Sequence, residues 1–165
     1  MLGNLIVEVP VIAWSESVDI NRPPKDVLSA VRDQRILMQW SAWPQATGYT
    51  CAVDGDGTTA GSSIVFTSPA GEEMGRQTIT ETTATTVRNR LRNRGPGGRI
   101  IEPEIDFHVE PLGPGRSRVR LDFRIKPPLP VFLHPVARFF LDRRIRPLHR
   151  ADLDNLKNLL EAGPL

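Results

Sequence analysis

Residues 18–31, VDINRPPKDVLSAV, change their hydrophobic period halfway along. Val18 and Ile20 alternate with Asp19 and Asn21 as in a strand, and beyond Pro23 and Pro24 the apolar Val27, Leu28 and Val31 recur at helical spacing. Proline suits a first helical turn, because the N–H it lacks would be unpaired there in any residue. The pattern predicts a strand from about Val11 to Ile20, a helix over Pro24 to Arg32 and a second short helix from Arg35 to Trp40. After Trp43 and Pro44 it predicts strands at Gly48 to Val53, Ser62 to Thr67, Met74 to Thr82, Thr86 to Arg92, Arg99 to Glu110 and Ser117 to Ile125. The segments DGDGTTAG, SPAGEE, NRGPGG and PLGPGR between them carry turn residues, so these strands read as consecutive hairpins. From Leu129 to about Glu161 helical spacing returns, with Phe132, Val136, Phe139 and Phe140 followed by Leu148, Leu153, Leu156 and Leu160. Pro147 lies inside this helix and removes a hydrogen bond, which predicts a kink or break close to Ile145.

Alternation also separates the faces of the sheet. In the sixth predicted strand Ile101, Ile105, Phe107 and Val109 oppose Glu102, Glu104, Asp106, His108 and Glu110. In the seventh, Val119, Leu121, Phe123 and Ile125 oppose Arg118, Arg120, Asp122, Arg124 and Lys126. The fifth adds Arg88, Arg90 and Arg92 opposite Val87, Asn89 and Leu91, so the outer face runs basic, acidic, basic. Such cross-strand pairs contribute about 0.2–1 kcal/mol each, enough to help register without implying a site. The dry face needs a partner, and a curved sheet wrapped around the apolar C-terminal helix supplies one.

Length predicts a single domain over residues 1–165, with residues 1–10 read as an N-terminal extension of the first strand. There are 18 arginines against 3 lysines, yet 19 acidic residues leave a formal charge of only +2. Nothing in that balance compels a nucleic-acid partner. A single cysteine, Cys51, excludes an intrachain disulfide and a cysteine-rich metal site. The N-terminal MLGNLIVEVPVIAW lacks a basic leader and carries Glu8 inside its apolar run, and no stretch approaches the roughly 20 apolar residues of a membrane span. A cytoplasmic protein without a transmembrane segment, monomeric or homodimeric, is expected.

The order strand, two short helices, six antiparallel strands and long C-terminal helix resembles the START/Bet v 1-like (SRPBCC) superfamily, in its bacterial polyketide cyclase/dehydrase and lipid-transport branch. The residues that carry the resemblance are VDINRPPKDVLSAVRDQRILMQW at Val18 to Trp40, DGDGTTAGSSIVF at Asp54 to Phe66, and ADLDNLKNLLE at Ala151 to Glu161. It implies an α+β helix-grip fold, a seven-stranded antiparallel sheet wrapped around a long C-terminal helix, enclosing a hydrophobic cavity.

With Ile79 inward, Gln77 and Glu81 share its face, and Asn89 lies inward between Val87 and Leu91. Polar groups there either orient an apolar ligand or mark a wet cavity mouth or a one-residue slip of register. Trp40, Trp43, Phe66, Phe107, Phe123, Phe139 and Phe140 supply aromatic surface, as ligand wall or as core. His149 and Asp152, three apart on the last helix, form either an acid–base unit or a structural hydrogen bond. Arg76 becomes a catalytic candidate if the fourth strand takes the opposite register, with Glu81 or His149 as partner. His108 among Glu102, Glu104 and Glu110 matches no metal-ligand spacing, so neither a metal nor a cofactor is expected.

Three functions follow. The favoured one is non-enzymatic binding or transport of a small hydrophobic molecule such as a lipid, a polyprenyl or quinone, or an aromatic polyketide. The alternative is an aromatase/cyclase-type enzyme acting on a polyketide. The third is an RNA, ribosome or anionic-membrane module using RNRLRNRGPGGR or RRIRPLHR. Nucleic acid is the weaker partner, since no aromatics interleave these arginines.

Overall fold

The computed structural model describes residues 10–163 of the chain. The predicted extension over residues 1–10 lies almost entirely outside them. β1 (Ile12–Ile20) leads through Pro23 and Pro24 into α1 (Pro24–Arg32) and α2 (Gln34–Trp40). Proline does start α1, and the Asp33 side chain caps α2 by accepting from the Arg35 N–H at 2.9 Å. A further one-turn helix, α3 (Trp43–Thr47), was not anticipated. Pro44 opens it and Gly48, at φ +72°, closes it, so the strand expected from Gly48 begins only at Thr50.

Then come β2 (Thr50–Asp54), β3 (Ser63–Thr67), β4 (Glu73–Thr82), β5 (Thr86–Arg94), β6 (Ile100–Ile101), β7 (Glu104–Gly113) and β8 (Arg116–Ile125). The sixth predicted strand is therefore two, divided at Pro103, which has no N–H for a ladder; its carbonyl instead accepts from Leu91. All pairings are antiparallel, and the sheet runs β1-β8-β7-β5-β4-β3-β2 with the two-residue β6 added on β5. The chain closes with α4 (His134–Arg144) and α5 (Arg146–Glu161), separated at Ile145. The break falls there because Pro147 cannot bond to the carbonyl of Arg143 and its ring crowds it. The result is an α+β helix-grip fold: β1 packs on α5, and α1 and α2 close one end of the sheet.

The face assignments hold along β5, β7 and β8. Val87, Asn89 and Leu91, then Ile105, Phe107 and Val109, then Val119, Leu121, Phe123 and Ile125 are all buried. On the outer face Arg90 and Arg124 pair with Glu104 at 3.3 and 3.0 Å, and Arg120 pairs with Asp122 at 3.2 Å. Asp106 is an exception to the solvated outer face. It is buried among the arginines, with Arg124 at 3.0 Å and Arg88 at 3.9 Å.

β4 departs from strict alternation, and its pairing decides the place of two site candidates. Ile79 pairs with Asn89 but Glu81 pairs with Arg88, so Thr80 is the extra residue of a bulge. The slip turns Glu81 outward, where it binds Arg88 at 2.9 Å, and removes it from the interior. Arg76, before the bulge, keeps the register that puts Gln77 and Ile79 inward, and so it also faces out. It is held there by Glu73 at 2.6 Å and Asp54 at 2.7 Å. The opposite register that would have made Arg76 catalytic is not taken.

The glycine-rich loop after β2 is fastened to α2. Buried Gln34 donates through Nε2 to the carbonyls of Ser62 and Gln77, both at 3.2 Å, and accepts from the Ser62 hydroxyl at 2.9 Å. Gly57 sits at φ +84° and donates its N–H to Ser62 Oγ at 2.7 Å; a side chain there would collide with the Arg35 guanidinium.

Candidate functional site

The space between the sheet and the C-terminal helices is filled at one end and open at the other. Leu121, Phe107 and Val87 lie in register across β8, β7 and β5, and with Trp40, Val119, Leu153, Leu156 and Leu160 they are buried in a solid core. Trp40 meets Phe107 edge-on, centroids 5.8 Å apart, and donates its Nε1–H to the Ala30 carbonyl at 3.2 Å. Further along the strands, the paired Phe123 and Ile105 and, beyond them, the paired Leu91 and Gln77 face a cavity of about 310 Å³. Leu37, Trp43 and Pro44 from the small helices, Tyr49 just before β2, Cys51 and Phe66 from the far strands, and Phe140, Leu141, Ile145 and Leu148 around the helix break also line it.

Eight of the residues singled out in the sequence as site candidates therefore line the cavity: Trp43, Phe66, Gln77, Leu91, Phe123, Phe140, His149 and Asp152. Four others are core. Trp40, Ile79 and Phe107 are 1–3 % exposed and face the packed half. Asn89 is equally buried, but its amide is spent on the Ile105 carbonyl at 3.3 Å. Phe139 is 66 % exposed on the outside of α4. Helical spacing alone groups it with the inward aromatics; α4 packs instead on α5 and on the turn before it, which leaves Phe139 outside.

Two polar side chains of α5 enter the cavity wall. His149 is buried against Phe123 and Trp14, with centroids 5.0 and 5.6 Å away, and its Nδ1 accepts from the Trp14 indole N–H at 3.2 Å. The neutral ring thus carries its proton on Nε2. Burial pushes its pKa down to about 4, against a smaller opposing pull from Glu16. Burial pushes the Glu16 carboxyl up, but the hydrogen bonds and positive charges of Arg150 and Arg146 together outweigh it and lower its pKa. Asp152 accepts the Ala42 N–H at 2.6 Å, tying α5 to the start of α3. Burial pushes its carboxyl up to about 7, although the hydrogen bonds from Ala42 and Ser41 partly offset that. The two side chains do not share a proton: each is hydrogen-bonded elsewhere, and they stand as separate groups on one wall. Their spacing alone marked them as neighbours, but their partners lie more than a hundred residues away in sequence.

The shifts have opposite consequences for stability. Between 3.8 and about 7 folded Asp152 keeps a proton that the unfolded chain has lost, so stability falls as pH rises. Between about 4 and 6.5 the unfolded chain takes up a proton that buried His149 refuses, so stability rises with pH. In urea titrations from about pH 5 to 6.5, His149→Gln should leave a falling profile and Asp152→Asn a rising one, each by up to about 1.4 kcal/mol per pH unit. Two profiles of the same sign would show that these protonation states are wrongly assigned.

Among the described residues no group of histidine, cysteine and carboxylate side chains has metal-binding geometry, and no helix is long and apolar enough to cross a membrane.

Comparison with known proteins places this arrangement. The family model described as polyketide cyclase / dehydrase and lipid transport matches residues 12–161, from β1 to the last residue of α5. Curated proteins give no match. Among solved structures the chain is similar to norcoclaurine synthase from Thalictrum flavum in complex with dopamine and hydroxybenzaldehyde, at 13% identity over 93% of this chain and 88% of that one, TM-score 0.60. It is also similar to a START superfamily protein from Mycobacterium smegmatis, at 19% identity over 89% of this chain and 98% of that one, TM-score 0.52. A Thermobifida fusca protein aligns at 21% identity over 89% and 91% of the two chains, TM-score 0.63. At such identities structural likeness speaks for fold alone, whereas the family match spans nearly the whole chain. The chain belongs to the polyketide cyclase/dehydrase and lipid-transport family, with a START/Bet v 1-like helix-grip fold.

Proposed function

We propose that the protein binds or carries one small hydrophobic molecule in this cavity, with the molecule's polar group at the Asp152 and His149 wall and its apolar body toward Phe66, Leu91 and Ile105. The observation that carries the reading is the cavity itself: a mostly apolar wall, with few polar groups, opened beside an otherwise solid core. Its volume of about 310 Å³ is at the lower end of small-molecule pockets. That size favours an aromatic polyketide or a quinone ring over a two-chain lipid. The compact aromatics held by norcoclaurine synthase on the same fold are ligands of that size class.

Asp152 favours a second reading, an aromatase/cyclase-type reaction on a polyketide. A carboxyl near 7 exchanges its proton readily at neutral pH, so it suits removing the proton next to a carbonyl and returning one to a departing hydroxyl. His149, neutral at that pH, donates from Nε2 to a carbonyl oxygen but supplies no charge. Outward-facing Arg76 and Glu81 take no part.

Native mass spectrometry of the chain purified without added ligand, followed by solvent extraction, tests the first reading. A one-to-one adduct that extracts as a single small organic molecule supports it. Bare protein that also fails to bind an environment-sensitive apolar dye saturably refutes it. Asp152→Asn separates the two readings, since a carrier keeps its adduct unaltered whereas an enzyme accumulates an unreacted substrate of different mass.

A further inference from the structure

The third of the chain after β8 carries an apolar surface that the fold does not use. Val131 and Phe132, in the turn before α4, are 50 % and 78 % exposed, and Val136, Phe139 and Phe140 on α4 are 65 %, 66 % and 58 % exposed. Val136, Phe139 and Phe140 stand at i, i+3 and i+4, on one face of the helix. One turn further on, Arg143 and Arg144 continue that face, four residues beyond Phe139 and Phe140. Both arginines are exposed, and among the described residues neither is in an ion pair. Many of the other arginines are neutralised, among them Arg146 and Arg150 by Glu16, Arg88 by Glu81 and Arg90 by Glu104. Arg94 at the cavity rim and Arg99 on the adjoining turn are also exposed and without an acidic partner among the described residues. Phe140 belongs to both features, since it is exposed on this surface and lines the cavity mouth.

We propose that α4 and the turn before it form a docking surface for an anionic lipid bilayer, with Phe132, Val136 and Phe139 entering the acyl boundary and Arg143 and Arg144 engaging lipid phosphates. Contiguous apolar surface of this size mostly marks an interaction site in a soluble protein. Two properties single out a bilayer. Aromatic side chains beside unpaired arginines match the layered chemistry of a membrane interface, apolar below and anionic above. The patch is also continuous with the cavity through Phe140 and Leu141, so a docked protein opens its cavity toward the phase in which an apolar molecule dissolves. Docking stands whatever the cavity holds; its use as a route for loading or release rests on the ligand-binding reading above.

The test is flotation of the full chain with vesicles of phosphatidylcholine alone and of phosphatidylcholine containing about 30% phosphatidylglycerol, at about 0.1 M and 0.5 M salt. Binding should be about tenfold or more tighter on the anionic vesicles and should weaken at the higher salt. Phe132→Ser with Phe139→Ser should abolish it on both vesicles. Arg143→Glu with Arg144→Glu should remove the preference for the anionic ones. All four side chains are exposed, so circular dichroism and the thermal midpoint should match the unsubstituted chain. Equal binding to both vesicles, or none, overturns the proposal. So does a dimer in sedimentation that Phe139→Ser dissolves, which would give the surface to a second copy, or binding seen only when residues 1–9 are deleted. Dye binding measured without vesicles reads the cavity separately, so failure of docking and failure of the ligand reading are told apart.

Discussion

Leu91→Trp should weaken saturable binding of an apolar dye by at least tenfold, about 1.4 kcal/mol, while stability changes by less than about 1 kcal/mol. Leu91 is buried on β5 and faces the cavity, beside inward-facing Gln77 of β4. Its side chain borders empty space of about 310 Å³, so an indole placed there occupies volume that no other side chain needs. The control is Val119→Trp. Val119 is fully buried on β8 and does not line this cavity, so the same indole must displace close-packed neighbours and should cost about 1–3 kcal/mol or more. Equal destabilisation by the two substitutions would mean that the cavity is filled in solution, and the ligand reading would fall with it. Loss of dye binding by Leu91→Trp alone would tie binding to this cavity.

Trp40→Ala should cost about 3–5 kcal/mol in urea unfolding, a large share of the roughly 5–15 kcal/mol that holds a domain of this kind together. Trp40 is 1 % exposed and joins three elements. Its ring meets Phe107 of β7 at 87°, its Nε1–H bonds the Ala30 carbonyl of α1, and its own carbonyl accepts from Asn155 of α5 at 3.0 Å. Truncation leaves a cavity in the solid half of the core, where no neighbour is free to collapse into it. Trp40→Phe keeps most of the contact area and forfeits the hydrogen bond, so about 1–2 kcal/mol is expected. It should bind dye as the unsubstituted chain does, because Trp40 does not line the cavity. A loss under about 1.5 kcal/mol for Trp40→Ala would show that this half is less tightly packed than the structure shows.

These predictions separate residues that sequence alone had grouped. Phe107, Ile79 and Leu91 occupy the inward positions that alternation gives them, and Trp40, offered as ligand wall or core, is buried with them. Which of them border the cavity was not legible, because inward names a face and not a depth along the strand. The polar candidates show the same limit. Gln77 and Asn89 both point inward, yet Asn89 is satisfied by the Ile105 carbonyl in the packed half while Gln77 borders the cavity. Tyr49, Cys51 and Leu148 are in the wall though no pattern marks them as lining residues, since the cavity collects residues from eleven elements and the segments between them, and no single periodicity records that.

By itself the sequence determined the order of elements, the two faces of the sheet, the proline start of α1 and the break before Pro147. Each is a local consequence of side-chain period, turn residues or a missing N–H, and needs no knowledge of distant neighbours. Tertiary structure decided the rest. The bulge at Thr80 turned Glu81 outward, the packing of α4 on α5 left Phe139 exposed, and long-range partners separated His149 from Asp152. In each case the outcome depends on which groups from distant parts of the chain compete for the same space or hydrogen bond, and that competition exists only once the sheet has closed on its helices.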